Sequence, residues 1–303
     1  MADAVIGSTL SGADAFSQVL YGVVLVIVVY LVLAGSEYLH YTFTRMYKDR
    51  VELFADTYIS GPRMYSVTQD PSVIGSKTIH FSDNQRSGVE FSYSLFTYIN
   101  SDTFNNTDTT SLYHILHKGY GKMYPLLGPG IFCWGNRNTL RVFMNCYDTW
   151  NNYTDIDNIP VDKWFHITVS CKGNTMYVYI NGNLKTKMSL SNNTPPYQNY
   201  GNVYLFSSRK QTLNSTTTVS LLNDTMFSRD NIGHLTSITF NGAIKGMVSR
   251  VYYFGYALTY SEIQTLLNVG PSPTIVTSSS SSSMTSMSSP YLSDTWWTNR
   301  HGP

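Results

Sequence analysis

The segment that most constrains the fold is residues 164–190, which reads as three short strands joined by turns. Its first seven residues, beginning at Trp164, alternate between apolar and polar, which is the period of a strand with one buried face. A second alternating run ends at Asn181-Gly182. Asn-Gly between two such runs is the strongest local signal for a β-hairpin, because both residues tolerate positive φ. The third run, from Leu184 to Leu190, completes an antiparallel meander with one apolar face.

Two motifs in this part of the chain are shared with a known family. The first is a strand opened by a Trp, followed by a tyrosine-rich strand that ends in Ile180-Asn181-Gly182. The second is residues 244–270, where a strand precedes the sequence ALTYSEIQTLL. Together they resemble the laminin G-like domains of the concanavalin A-like jelly-roll family. The resemblance implies an antiparallel two-sheet sandwich with a short closing helix, and it leaves activity open.

Further alternating runs predict a mainly β domain over residues 52–270. They lie at residues 78–82, 89–98, 113–117, 130–134, 139–145 and 203–207, with a long Ser/Thr/Asn-rich loop at 211–231. Many short strands separated by Gly, Pro, Asn and Asp favour a jelly-roll sandwich over a parallel sheet. Thr259 and Glu262 form the Thr-x-x-Glu pattern of a capping box, so a short helix is predicted to end before Gly270.

Residues 19–34 are all apolar, Gly or Tyr, and with Gly35 they reach the lower length limit for crossing a hydrocarbon core. We predict a transmembrane helix over residues 19–35, anchored by Val19, Leu25, Ile27, Leu31 and Leu33. The alternative is a cleaved signal peptide, which ordinarily has a basic leader and a shorter apolar core. Here the short N-terminal segment, residues 1–18, contains acidic residues and no Lys or Arg. Residues 36–51 are expected to form a juxtamembrane helix or linker.

The flanks of the apolar run predict its orientation. Arg45, Lys48 and Arg50 follow the run and no basic residue precedes it, so the positive-inside rule places the large C-terminal domain on the cytosolic face. Three cysteines, an odd number without metal-type spacing, agree with a reducing compartment. Sequons favour the opposite orientation, because in a luminal protein they would be glycosylated. They begin at Asn105, Asn152, Asn192, Asn214 and Asn223.

The tail, residues 271–303, differs in composition from the domain. A run of serines at 278–283 predicts a flexible linker, because it lacks the apolar side chains that a core requires. Four large apolar residues follow it: Tyr291, Leu292, Trp296 and Trp297. Because Trp is prominent among interface hot spots, we predict that they dock in a groove of another protein. The alternative is that they fold back on their own domain.

The acidic residues do not form a recognisable hydrolytic site. Some enzymes with this fold use two or three carboxylates on one strand as acid and nucleophile. The four glutamates are scattered, and Glu90 has no carboxylate partner in its strand. We therefore expect no enzymatic activity. A net charge of +1 also gives no basic surface for nucleic acid.

A loop just before the meander contains the candidate ligand residues, which are Tyr147, Asp148, Trp150, Tyr153, Asp155 and Asp157. The aspartates are candidates for calcium through their carboxylates, or for the solvated state that is common in loops. No other cofactor is expected. The aromatic rings and polar groups are alternatively suited to a sugar. His114 and His117 are three residues apart, which on a regular strand places them on opposite faces and disfavours a shared metal.

Two functions fit these features. Only 13% of residues are charged and 24 are tyrosine, which is typical of surfaces that contact proteins or sugars, and equally of a β-rich fold that selects Tyr and Thr. The first hypothesis is a non-catalytic structural protein, whose architecture resembles the membrane-associated minor capsid proteins of large icosahedral DNA viruses. Its partners would be membrane lipid and a capsid shell, and its location the virion, between internal membrane and capsid. The alternative is a lectin-like membrane protein that binds glycans.

Overall fold

The computed structural model describes residues 12–48, 50–61, 63–82, 88–147, 152–213 and 238–276. These residues belong to two units, one within residues 1–49 and one within residues 50–303. Several predicted features lie outside the described residues. They are the ligand candidates Asp148 and Trp150, the sequons at Asn214 and Asn223, and the docking residues Tyr291, Leu292, Trp296 and Trp297.

The first unit is a single helix, α1 (Gly12–Lys48), which contains the predicted span and continues beyond it without a break. Its stretch Phe16–Tyr41 is 26 residues long and none of it is buried inside the protein. At 1.5 Å per residue this stretch is about 39 Å long, more than the thickness of about 30 Å of a hydrocarbon core. The helix therefore has the length and composition of a membrane span, which an N-terminal signal sequence shares.

The second unit consists mainly of strands. They are β1 (Arg50–Ile59), β2 (Tyr65–Val67), β3 (Glu90–Ile99), β4 (Ser111–Tyr120), β5 (Met123–Trp134), β6 (Thr139–Met144), β7 (Asn152–Asp157), β8 (Trp164–Lys172), β9 (Thr175–Ile180), β10 (Asn183–Ser189), β11 (Asn202–Leu205), β12 (Lys210–Leu213), β13 (Ile238–Ala243), β14 (Gly246–Phe254) and β15 (Ile275–Val276). One helix, α2 (Tyr260–Val269), lies between β14 and β15.

The strands form two sheets that pack as a sandwich, as predicted. The seven-stranded sheet has the order β10-β9-β8-β3-β14-β1-β15, so the meander of β8, β9 and β10 lies at one side of it. The eight-stranded sheet has the order β12-β13-β4-β5-β6-β7, with β11 and β2 added beside β4. Pairing is antiparallel except for β1 with β15 and β13 with β4. The fold class is therefore mainly β, antiparallel, with one N-terminal apolar helix and one short C-terminal helix.

The core lies between the sheets and follows from strand alternation. Leu95 of β3 and Ile167 of β8 face inwards from one sheet, and Ile131 and Val142 face inwards from the other, all with no exposed surface. Alternate residues of the same strands face outwards. At about 25 cal/mol per Å² of buried apolar area, this continuous cluster is the main stabilising contribution to the fold.

Three strand predictions need correction. Residues 78–82 form no strand, because the Gln69 side chain replaces a neighbouring strand: its Oε1 accepts from Ile79 N and its Nε2 donates to Lys77 O. Residues 211–213 belong to β12 and not to a loop. The 203–207 strand ends at Leu205, since the next residue, Phe206, has a φ of 54°.

Candidate functional site

The outer face of the eight-stranded sheet brings charged and aromatic residues together across β5, β6 and β7. Alternation in these strands sends Leu140 and Val142 inwards and Arg141 outwards. Arg141 lies directly opposite Asp155 of β7 in the ladder. Together with Trp134, Arg137 and Tyr153 these two residues form what we call the Arg–aromatic cluster.

A bidentate ion pair lies at the centre of the Arg–aromatic cluster. Arg141 Nε donates to Asp155 Oδ1 and Arg141 Nη2 donates to Asp155 Oδ2, both over 2.7 Å. Arg137 Nη2 lies 3.6 Å from the same carboxylate, beyond hydrogen-bond distance. Two guanidinium groups therefore share one carboxylate, which leaves a net positive charge.

The aromatic rings stack on the guanidinium groups. The Arg141 guanidinium carbon is 3.7 Å from the centre of the Tyr153 ring and 4.6 Å from the centre of the Trp134 ring. The guanidinium carbon of Arg137 is 4.1 Å from the centre of the same Trp134 ring. Such contacts contribute about 0.5–2 kcal/mol each, depending on solvent exposure. Arg141 and Trp134 are buried, whereas Tyr153 is 40% exposed and the Arg137 side chain 47% exposed. The buried pair thus holds the two exposed side chains in place.

The predicted ligand loop is in part a strand. Asp155 and Asp157 lie on β7 with side chains on the same outer face, and Asp157 Oδ1 accepts from Thr139 Oγ1 at 2.7 Å. Both oxygens of Asp155 accept from Arg141, so they are occupied. Tyr147 is 48% exposed, and its ring contacts Tyr197 edge-to-face. Among the described residues, no group of three His, Cys, Asp or Glu is placed to hold a metal ion.

The expectation that His114 and His117 lie on opposite faces is wrong, because β4 contains a bulge. The register against β5 shifts between His114 and Leu116, so Ile115 is an extra residue and both imidazoles lie on one face. Ser207 N donates to His114 Nδ1, which places the His114 proton on Nε2, and His114 Nε2 is 2.7 Å from His117 Nδ1. His117 Nε2 then donates to a backbone carbonyl, so both rings are neutral.

The environment of these histidines opposes a positive charge. Burial lowers the pKa of His117 to about 4. Burial and the neighbouring His117 hold the pKa of His114 well below its usual range. The pair is therefore a structural hydrogen-bond chain, with no nitrogen left for a metal in this arrangement.

The outer face of the seven-stranded sheet differs, because the chain covers it. Ser92 Oγ donates to Tyr256 O and accepts from Leu258 N, which fixes the segment before α2 against β3. Ser94 Oγ and His166 Nε2 are 2.7 Å apart, and both residues are buried. Burial lowers the pKa of His166 to about 4. Ligand access to this face is closed along β3 and β8.

The cysteines and the described sequons bear on the compartment. Cys133, Cys146 and Cys171 are all buried and free, and burial raises the thiol pKa of Cys133 and Cys171 above its usual range. Asn105 and Asn192 are exposed. The side chain of a third sequon residue, Asn152, donates to the Cys146 sulfur at 3.0 Å.

Sequence reasoning did not identify Arg137, Arg141 or Trp134 as site residues. The signal that could have found Arg141 is the run 139–144, in which Arg141 and Phe143 alternate with three apolar residues. An Arg and an aromatic residue at alternate, outward positions indicate that the outer face of the strand carries charged and aromatic side chains. The partner strand could not be inferred, because the pairing of β6 with β7 depends on the tertiary fold.

Comparisons with known proteins agree on the fold. The family model described as the concanavalin A-like lectin/glucanases superfamily (Laminin_G_3) matches residues 74–230. None of the curated proteins matches the chain.

Solved structures with a similar fold include binding domains of toxins. The ligand-binding domain of botulinum neurotoxin serotype D in complex with N-acetylneuraminic acid is 12% identical over 70% of this chain and 41% of its own, with a TM-score of 0.43. The binding domain of botulinum neurotoxin DC in complex with rat synaptotagmin II is 16% identical over 73% and 42%, with a TM-score of 0.42. The binding domain of Paraclostridial Mosquitocidal Protein 1 is 13% identical over 70% and 42%, with a TM-score of 0.43. The chain thus spans about two fifths of these structures.

Proposed function

The chain belongs to the concanavalin A-like lectin/glucanases superfamily, and from that premise we propose that it is a membrane-anchored, non-catalytic protein whose sandwich binds carbohydrate. The observation that carries this proposal is the Arg–aromatic cluster. Tyr153 presents an exposed ring that stacks on the Arg141 guanidinium, and Arg137 presents a half-exposed guanidinium beside it. Rings and fixed donors of this kind suit the apolar faces and hydroxyl groups of a sugar.

Preorganisation supports binding at this surface. Exposed side chains that are ordered before binding lose less entropy when a ligand arrives. Asp155 holds Arg141 by two hydrogen bonds, and Arg141 in turn stacks on Tyr153. The binding groups are therefore supported by a buried layer, as effective recognition sites require.

The positions of the carboxylates support a non-catalytic role. Glycoside hydrolysis needs an acid and a second carboxylate facing the same substrate bond. Glu90 pairs with Lys172 and accepts from a backbone N–H at 3.4 Å, and Glu262 caps α2. Asp155 is occupied by Arg141. These side chains serve the fold or the Arg–aromatic cluster.

A glycan array tests the proposal, with the full chain in lipid nanodiscs as the probe. The wild-type protein should bind a subset of saccharides, and Tyr153→Ala should weaken that binding at least about tenfold, as loss of an aromatic anchor does. Tyr200→Ala is the matched control, because Tyr200 is 83% exposed and lies outside the Arg–aromatic cluster. Absence of binding to any saccharide, or equal binding by the wild type and Tyr153→Ala, would contradict the proposal.

The cysteines favour a second candidate function, a minor capsid protein that links an internal membrane to a protein shell. Three free, buried thiols agree with a domain that folds on the reducing, cytosolic side of the membrane. Crosslinking and mass spectrometry of purified virus particles would test this role. Crosslinks between the sandwich and shell proteins are expected. N-linked glycans on the exposed Asn105 in cells would contradict it, because they require the luminal side.

A further inference from the structure

A second concave region of the sandwich is independent of the Arg–aromatic cluster. An open cleft of about 490 Å³ is lined by the end of β1 with Ser60 and Gly61, by Tyr98 and Asn100, and by the connection between β13 and β14. Its volume is within the range of about 300–1,000 Å³ that is usual for ligand pockets. None of its lining residues belongs to the Arg–aromatic cluster, so an occupant of the cleft would not contact that cluster.

The cleft is suited to apolar side chains. Its backbone groups are already paired, since Ser60 N donates to Gly246 O at 2.9 Å and Asn100 N donates to Lys245 O at 2.8 Å. Ser60 Oγ donates to the carbonyl of Ile244. The Ile59 side chain is 43% exposed at the wall. Apolar surface that is accessible beside satisfied polar groups favours an apolar occupant over a saccharide.

The chain itself leaves the described fold beside this cleft. Strand β15 runs parallel to β1, with Ile275 opposite Thr57 and Val276 opposite Tyr58. In β1 the next residue after Tyr58 is Ile59, which lines the cleft. The Ser-rich segment 277–290 follows Val276 and has 14 residues, so a flexible chain of that length has a root-mean-square span of about 20 Å.

We propose that the cleft is the docking site for the aromatic segment 291–297 of the same chain. Its large apolar residues, Tyr291, Leu292, Trp296 and Trp297, are the groups that a mostly apolar cleft can hold. The linker supplies an effective concentration in the millimolar range, which favours this occupant over a partner free in solution. Lys245 at the rim adds a cation for the face of a Trp ring. Docking of this kind makes the aromatic segment unavailable to other proteins until it is displaced, and it does not depend on saccharide binding.

Site-specific photocrosslinking of the full chain in nanodiscs tests this docking. A diazirine-bearing lysine analogue replaces Lys245, and mass spectrometry maps the crosslinks. The expected products join position 245 to residues 291–297 of the same chain, at a yield that does not depend on protein concentration. Trp296→Ala with Trp297→Ala should lower the yield at least tenfold, whereas Met284→Ala with Met287→Ala in the linker should leave it unchanged.

A second pair of variants changes the cleft instead of the tail. A side chain at Gly61 meets no atom within 4 Å, so Gly61→Glu puts a charge in the cleft without a backbone clash and should abolish the crosslink. Gly255→Glu is the matched control, since Gly255 has equal space and does not line the cleft. An unchanged yield in the double Trp variant would overturn the proposal. Crosslinks between two chains, with a yield that rises with concentration, would overturn it in favour of a second copy.

Discussion

The outer faces of the two sheets differ in which side chains they leave exposed. On the seven-stranded sheet, Ser92 is hydrogen-bonded to the segment before α2, and His166 is buried beside Ser94. On the eight-stranded sheet, β5 to β7 present Tyr153 and Arg137, which stay exposed although their supports are buried. The first face is covered along β3 and β8, whereas the second is buried at Phe132 and Phe143 and leaves Tyr153 and Arg137 exposed.

The difference predicts different effects of substitution on the two faces. A buried polar face is stabilised by its partners and loses free energy when one partner is removed. An exposed ring held by a buried support contributes little to folding and remains available for binding. Substitutions on the first face should therefore lower stability, and those on the exposed edge of the second should lower binding.

Acid should affect both faces, and this is the largest expected effect. Burial holds the pKa of His166 on one face and His117 on the other at about 4, below the ordinary 6.5. The unfolded chain takes up these protons at higher pH, so this contribution to stability is complete above about pH 6.5 and is lost as the pH falls towards 4. Thermal unfolding measured across this pH range should show that the free energy of unfolding falls by several kcal/mol. His166→Gln should reduce the pH dependence of stability in part. A melting temperature that does not change with pH would contradict the attribution of this effect to the buried histidines.

The second largest effect on stability is expected from a substitution in the closing helix, α2. Ile263 of α2 is fully buried, so Ile263→Ala should lower the free energy of unfolding by about 2–5 kcal/mol. Leu184→Ala is the control, because Leu184 is 50% exposed and its truncation should cost less than about 0.5 kcal/mol. Urea unfolding of both variants measures the difference. Equal losses would show that α2 does not complete the covered face.

Arg141 should have a smaller effect on stability together with an effect on binding. Arg141→Ala removes two hydrogen bonds to Asp155 and leaves the carboxylate without them, so a loss of about 1–3 kcal/mol is expected. Arg141→Lys keeps the charge but not the bidentate geometry, so it should be more stable than Arg141→Ala and less stable than the wild type. If the two variants unfold alike, the geometry of the pair is unimportant.

Removal of the capping box of α2 should lower the free energy of unfolding by about 1 kcal/mol. Thr259 Oγ1 accepts from Glu262 N, and Glu262 Oε2 accepts from Thr259 N. Thr259→Ala removes the first of these bonds, whereas Thr259→Ser retains it. Saccharide binding should be unaffected by either change, since the cap lies on the covered face. A binding defect in Thr259→Ala without a loss of stability would be unexpected.

Tyr153 should have the smallest effect on stability. Tyr153→Ala removes one ring from the Arg141 stack, so the free energy of unfolding should fall by only about 0.5–1 kcal/mol. Saccharide binding should fall at least tenfold in the same protein. A large loss of stability would show that the ring serves the fold, and the two faces would then be alike.

The regular parts of the fold could be predicted from the sequence, and the irregular ones could not. The meander from β8 to β10 and the capping box of α2 follow from local alternation and spacing, and the structure confirms them. Strand β1 was missed, because two register shifts, between Glu52 and Phe54 and between Phe54 and Thr57, break its period of two. The bulge at Ile115 misled the prediction for His114 in the same way.

Part of the candidate site could also be predicted. Tyr153, Asp155 and Asp157 were chosen for residue type, and the structure places all three on β7. Arg141 was not found, because its partnership with Asp155 depends on which strands pair across a gap in the sequence. Non-local pairing of this kind leaves no signal in a single strand.

Hydrogen exchange of the full chain with and without a saccharide from the array tests the central claim most directly. The ligand should slow exchange in residues 134–141 and 152–157, which carry the Arg–aromatic cluster, and should leave residues 256–269 of the covered face unchanged. Slowed exchange at residues 256–269, or at the cleft residues 242–247 alone, would contradict the assignment of the binding face.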